Sequence, residues 1–159
     1  PAPDGEPGEL VFSGPQVMCG YWNRPDADAE VFLGKYLRTG DVATIDEDGF
    51  IQIVDRLKDM IAVGGFKVFP SQVEDVLYKH PSVKEALVIG VADAYHGEMP
   101  RAFVTLQEGA TEDGATLAAW LNPQLGKHER VQAVVVREAL PKTMIGKLDR
   151  KALRAEISV

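Results

Sequence analysis

Short apolar runs separated by turn residues fill the first third of the chain. Leu10-Val11-Phe12 predicts a strand stopped at Gly14-Pro15, after a loop rich in Pro, Gly and acid over residues 1–8. Pro25 opens a short helical stretch, Asp26 to Phe32, whose first-turn acids suit the positive end of a helix dipole. Tyr36-Leu37-Arg38 and Val42-Ala43-Thr44-Ile45 read as strands on either side of Thr39-Gly40-Asp41. Asp46-Glu47-Asp48-Gly49 then turns the chain into Phe50-Ile51-Gln52-Ile53-Val54 as the second arm of a hairpin.

The pattern changes at the charged run Asp55-Arg56-Leu57-Lys58-Asp59, which marks a candidate boundary. Met60 to Val63 and Phe66 to Phe69 predict a tight hairpin around Gly64-Gly65. A helix opens at Pro70, with Ser71 and Glu74 spaced as a capping box; Val73, Val76 and Leu77 form its buried face, and His80-Pro81 ends it. A strand from Glu85 to Val91, a loop from Asp93 to Met99 and a strand from Arg101 to Leu106 follow. Next come a helix at Thr116 to Leu121, a strand at Val131 to Val136 and a helical tail from Leu148 to Ile157. The expected class is α+β: a β-rich N-terminal piece, then a small domain in which a hairpin and a three-stranded sheet are flanked by helices, with helices on one face.

Composition narrows the function classes. The 159 residues are 45% apolar and 26% charged, ordinary globular values. The net charge of -7 excludes a global basic field for nucleic acid. It is unevenly spread: 11 acidic and 4 basic residues lie through Leu57, whereas the remainder is balanced and residues 141–159 are net basic. A single cysteine, Cys19, excludes an internal disulfide framework and a multi-cysteine metal site. No apolar run has the length to cross a bilayer. The first residues, Pro1-Ala2-Pro3, carry no export signal and read like the middle of a longer protein, with a reducing, cytoplasmic setting as the default.

Three places could carry chemistry, each beside a plainer reading. Gly64-Gly65 is either a hairpin turn and nothing more, or bare backbone against which a long ligand passes. Thr39-Gly40-Asp41 is either a local bend, or a site where two carboxylate oxygens accept from neighbouring hydroxyls such as those of a ribose. The basic run Lys142 to Lys151 is either a solvated face, or a loop whose Lys147 reaches outward as a compact cation toward developing phosphate charge. The three histidines lack zinc-site spacing, and neither a nucleophile elbow nor a Walker loop is present.

Four segments stand in a telling order: Gly8-Glu9-Leu10 through Gly20-Tyr21-Trp22; Tyr36-Leu37-Arg38-Thr39-Gly40-Asp41; Asp55-Arg56-Leu57-Lys58-Asp59 through Gly64-Gly65-Phe66-Lys67-Val68-Phe69-Pro70; and Leu140-Pro141-Lys142-Thr143 with Gly146-Lys147. Together they resemble the C-terminal part of the adenylate-forming acyl-CoA synthetase superfamily, with Phe66 to Glu74 most like bacterial long-chain fatty-acid–CoA ligases. The resemblance implies that residues 1–57 end a large AMP-binding domain and that residues 58–159 form its C-terminal lid. It implies a two-step acid–thiol ligase: a carboxylic acid, a fatty acid by that resemblance, reacts with ATP to give an acyl-adenylate, and coenzyme A displaces AMP. By the same resemblance Asp41 holds the ribose hydroxyls, Arg56 lies near the nucleotide and Lys58 is the hinge. Lys147 reaches the α-phosphate and carboxylate, and Gly64-Gly65 lines the pantetheine channel on the opposite side of the lid. The phosphate loop, the Mg2+ site and the acyl pocket belong to the family's N-terminal domain, so this chain alone is expected to be inactive, with membrane contact at most peripheral. Lys127-His128-Glu129-Arg130 stands where related ligases show Tyr-Lys-X-Pro. The alternatives are a ligase for aryl or other short carboxylates, and a non-catalytic small-molecule binding module.

Overall fold

The computed structural model describes residues 2, 3 and 5–157, in two compact units, Pro1–Lys58 and Asp59–Val159. Pro1 and Asp4, part of the loop expected over residues 1–8, lie outside the described residues.

The N-terminal unit is a four-stranded antiparallel sheet built on one long strand. Its elements are β1 (Gly8–Phe12), α1 (Pro25–Val31), β2 (Phe32–Leu33), β3 (Tyr36–Ile45) and β4 (Ile51–Arg56), and β3 pairs with all three other strands. The two short strands expected around Thr39-Gly40-Asp41 are therefore one strand. The register shows why: Glu9 faces Val42 and Val11 faces Arg38, so Leu10 alone stands opposite Thr39 to Asp41. That is a bulge, not a strand end, and Gly40 absorbs it at φ +72°. The Thr39 hydroxyl closes it, donating to the Leu10 carbonyl at 2.8 Å and accepting from the Asp41 N–H at 3.0 Å. At the other end of β3, Asp46 makes the expected turn, its carboxylate accepting from the Asp48 and Phe50 N–H groups.

The C-terminal unit contains β5 (Ile61–Val63), β6 (Phe66–Val68), α2 (Pro70–Leu77), β7 (Val83–Asp93), β8 (Gly97–Leu106), α3 (Gly114–Leu121), β9 (Val134–Val136) and α4 (Arg150–Ile157). The predicted hairpin is continuous with the sheet: Val63 pairs with Gly97, giving the order β6-β5-β8-β7, with β9 parallel to β8. Alternation along β7 and β8 divides the core between two faces. Ala86, Val88, Ala102 and Val104 meet Val73 and Leu77 of α2 and Leu117 and Leu121 of α3. Leu87, Ile89 and Phe103 meet Leu140 and Leu153 of α4. Two helices thus share one face as expected, and the C-terminal helix takes the other.

Local signals were overridden in three places. Strands β7 and β8 run on to Asp93 and from Gly97, so the loop expected over residues 93–99 shrinks to a tight turn. The Asp93 carboxylate holds that turn, accepting from the N–H groups of His96 at 2.8 Å and Tyr95 at 3.0 Å. Helix α2 starts at Pro70 with Phe69 as its N-cap and no side-chain cap, so Ser71 sits inside the helix and the capping box does not form. Glu74 is used elsewhere: β7 is an edge strand, and two of its N–H groups are covered from α2, Val88 by the Glu74 carboxylate at 2.7 Å and Ala86 by the Tyr78 hydroxyl at 3.2 Å. Finally, α4 begins at Arg150 rather than Leu148 because the Asp149 carboxylate accepts from the Ala152 N–H at 3.0 Å, as an N-cap does. No helix among the described residues is long and apolar enough to cross a membrane.

Candidate functional site

In the N-terminal unit the β3 bulge and the end of β4 bring Asp41 and Arg56 together as a cross-strand pair. The Arg56 Nε lies 3.3 Å from Asp41 Oδ1, with the guanidinium largely exposed. Arg56 and Lys58, with Glu9, Arg38, Thr39 and Gly40, line an open concavity of about 460 Å³. Asp41 lies beside that concavity rather than among its lining residues. Across the bulge Arg38 grips Glu9 in a forked pair, Nη2 to Oε2 at 2.8 Å. That bond stiffens the rim of the concavity and raises the Arg38 pKa above its ordinary value.

In the C-terminal unit Gly64 and Gly65 form the two-residue turn between β5 and β6, at φ +56° and +88°. Those angles are those of a type I′ turn, whose twist matches the flanking strands. The Gly64 N–H donates to the His96 carbonyl at 2.9 Å, so the turn is braced by the neighbouring β7–β8 turn. There the Asp93 carboxylate also faces His96 Nδ1 at 3.1 Å, and the N–H groups of His96 and Tyr95 hold the Asp93 pKa below its ordinary value. Phe66, directly after the glycines, stacks on His128 with ring centroids 3.6 Å apart. The Lys127-His128-Glu129-Arg130 segment is thereby placed against the hairpin.

Lys147 sits in a small hairpin of its own, not directly before the helix. Lys142 and Leu148 bridge, the Thr143 N–H donates to the Lys147 carbonyl at 2.7 Å, and the Gly146 N–H returns to the Thr143 carbonyl at 2.9 Å. Both arms are anchored. Lys142 pairs with Glu85 of β7 at 2.5 Å, and Arg150 pairs with Glu74 of α2 at 2.6 Å. The basic run therefore divides by role: Lys142 and Arg150 are structural cations, whereas the exposed Lys147 ammonium has no acidic partner among the described residues.

The glycine hairpin and the Lys147 loop are fixed at opposite ends of β8. The hairpin joins it at Gly97, and the Lys142 anchor, Glu85, pairs opposite Thr105. Eight strand steps separate those positions, about 26 Å at the usual rise of roughly 3.3 Å per residue.

Residues 72–147 match the family described as AMP-binding enzyme C-terminal domain. Those residues carry the C-terminal domain of AMP-binding enzymes. The chain is 45% identical over 155 residues to a long-chain-fatty-acid–CoA ligase of Escherichia coli O6:H1, covering 97% of this chain and 27% of that protein. It is 46% identical over 154 residues to a feruloyl-CoA synthase of an Amycolatopsis species, covering 97% of this chain and 31% of that one. Its fold superposes on the crystal structure of ATP-bound MatB from Rhodopseudomonas palustris with a TM-score of 0.91 at 35% identity, covering 98% of this chain and 31% of that one. The chain thus spans between about a quarter and a third of these relatives.

The positions read from motifs fall into three groups: Asp41, Arg56 and Lys58 in the N-terminal unit, the Gly64-Gly65 turn, and the Lys147 loop. Sequence reasoning missed the ion-pair network of Asp59, Glu74, Arg150 and Arg154. Its faint signal was two arginines four apart on the amphipathic tail and two acids each beside one apolar residue, Asp59 before Met60 and Glu74 after Val73. Among the described residues no cluster of three or more His, Cys, Asp or Glu is arranged to hold a metal.

Proposed function

We propose that this chain is the C-terminal part of an AMP-forming acid–thiol ligase, with residues 1–57 ending the large domain and residues 58–159 acting as its lid. The observation that carries the reading is the Lys147 loop: an exposed ammonium without an acidic partner among the described residues, on a hairpin tied down at both arms. In the first step a carboxylate oxygen attacks the α-phosphorus of ATP and pyrophosphate leaves. Negative charge builds on the α-phosphate oxygens, and the Lys147 ammonium donates to them as it builds. Loss of one such preorganised donor typically costs about 10²–10³ in rate. Asp41, steadied by Arg56, accepts from the two ribose hydroxyls.

In the second step the coenzyme A thiol attacks the acyl carbonyl and AMP leaves. The Gly64-Gly65 turn offers bare backbone along which the pantetheine arm passes. Lys147 and the glycine turn are anchored about 26 Å apart along β8, at roughly 3.3 Å per residue, so rotation about Lys58 would present each in turn. The Mg2+ that accompanies ATP is assigned to the part of the protein outside this chain. The enzyme is taken to act in the cytoplasm.

A fatty acid is the preferred carboxylate, supported by the 45% identity to a long-chain-fatty-acid–CoA ligase. An aryl carboxylate is the second reading, supported by the equally similar feruloyl-CoA synthase. A panel of carboxylates offered to the full-length protein separates the two. For the lid assignment, full-length Lys147→Ala loses acyl-adenylate formation yet still converts pre-made acyl-adenylate to thioester. Equal loss of both half-reactions would overturn that role.

A further inference from the structure

Four charged side chains meet in the C-terminal unit, two buried acids and two partly exposed arginines. Asp59 and Glu74 are only 7% and 9% exposed. Arg154 Nη1 donates to Asp59 Oδ1 at 3.0 Å, Arg150 Nη1 lies 3.8 Å from Asp59 Oδ2, and Arg150 Nη2 donates to Glu74 Oε2 at 2.6 Å. Glu74 Oε1 is occupied by the Val88 N–H at 2.7 Å. The Arg150 Nε is buried and has no hydrogen-bond partner among the described residues.

Burial of such a network is weak evidence for stability, since desolvation offsets much of the attraction. Helix α4 has another source of adhesion: Leu153 is fully buried among Leu87, Ile89, Phe103 and Leu140. What apolar packing does not provide is a single orientation, because it is non-directional. The network supplies direction, and its ends are informative. Asp59 directly follows Lys58 in the 3-10 turn Leu57–Asp59. Arg150 opens α4, three residues after Lys147, with the Asp149 N–H tied to the Pro141 carbonyl at 2.9 Å across the base of the loop.

We propose that Arg150 and Arg154 are positioning residues for Lys147: they lock α4 and the Lys147 loop to Asp59, beside the pivot. The inference rests on the lid reading above. Rotation about Lys58 then reaches the Lys147 ammonium as one fixed displacement, with no slack in between. A misplacement of about 1 Å at a reacting group can cost up to roughly 10²-fold in rate. The network acts through Lys147, so it serves the first half-reaction and is silent in the second.

The test uses the full-length protein and measures two rates, pyrophosphate release with ATP and carboxylate, and thioester formation from pre-made acyl-adenylate. Arg154→Met keeps the apolar stem and removes the charge. It lowers the first rate about tenfold or more and leaves the second within about twofold. Arg154→Lys, which keeps the cation, retains most of the first rate. In the Lys147→Ala background Arg154→Met lowers the first rate no further, because it acts through a group already gone. Equal decline of both rates, an unchanged first rate, or an added loss in the Lys147→Ala background would each overturn the inference. If Arg154→Met does not fold, Asp59→Asn with the same two rates and the same background decides by the same criteria. Lys147→Ala alone keeps the two claims apart: normal adenylation in that variant refutes the lid reading itself. Lost adenylation there, with Arg154→Met unaffected, refutes only the positioning role.

Discussion

Substitution of Gly65 separates the turn from the channel. The residue has φ +88°, and a Cβ built there meets nothing within 4 Å. At Gly64, φ +56°, the nearest atom to a built Cβ is His96 Cδ2 at 3.7 Å, an ordinary contact. Neighbours therefore set no steric penalty, and backbone strain is the only cost. For an ordinary L-residue in the left-handed region that is about 1–2 kcal/mol, a factor of roughly 5–30 in the folded-to-unfolded ratio. Asparagine tolerates the region through local hydrogen bonding and loses much less. Gly65→Ala should thus destabilise the C-terminal unit by about 1–2 kcal/mol, and Gly65→Asn by clearly less. Urea unfolding followed by tryptophan fluorescence reads this unit selectively. Trp120 is partly buried edge-on to His80, whereas Trp22 is 91% exposed already. An alanine variant as stable as the parent, or asparagine as costly as alanine, would refute the strain argument. Gly65→Asn then tests function in a folded protein: on the channel reading it slows thioester formation and spares adenylation. Normal thioester formation in that variant would leave the hairpin as a turn and nothing more.

Leu153→Ala should cost about 2–5 kcal/mol, because the side chain is fully buried between α4 and the sheet; denaturant midpoints check it, and a loss under about 1 kcal/mol would contradict the packing. Asp93→Asn should remove an acid-sensitive contribution to stability. The folded-state pKa of Asp93 lies below its ordinary 3.8, so its contribution is complete above about that pH and is lost as pH falls through the lower folded value. The stability difference between parent and variant should therefore be flat above about pH 4 and shrink below it; a pH-independent difference would count against the assigned cause.

Much of this protein is legible one neighbourhood at a time. Alternation in Leu87 to Val91 and Arg101 to Leu106 determines strands with two buried faces, and Gly64-Gly65 determines a tight hairpin, because period-two burial and positive φ are local demands. The candidate site residues come from motif resemblance, as positions rather than as geometry. Tertiary structure decided the rest. The Thr39-Gly40-Asp41 bend became a bulge inside one strand, because β1 on one side and β4 on the other hold the chain extended through it. Glu74, spaced for a local cap, went instead to the Val88 N–H and to Arg150, 76 positions away. Arg154 found Asp59 across 95 positions. Spacing rules reach a few residues, whereas a buried charge needs its counter-charge wherever the folded chain brings one. The sequence by itself therefore determined which elements form and where Lys147 stands along the chain. Only the fold decided that the helix following its loop would pair, through Arg150 and Arg154, with Asp59.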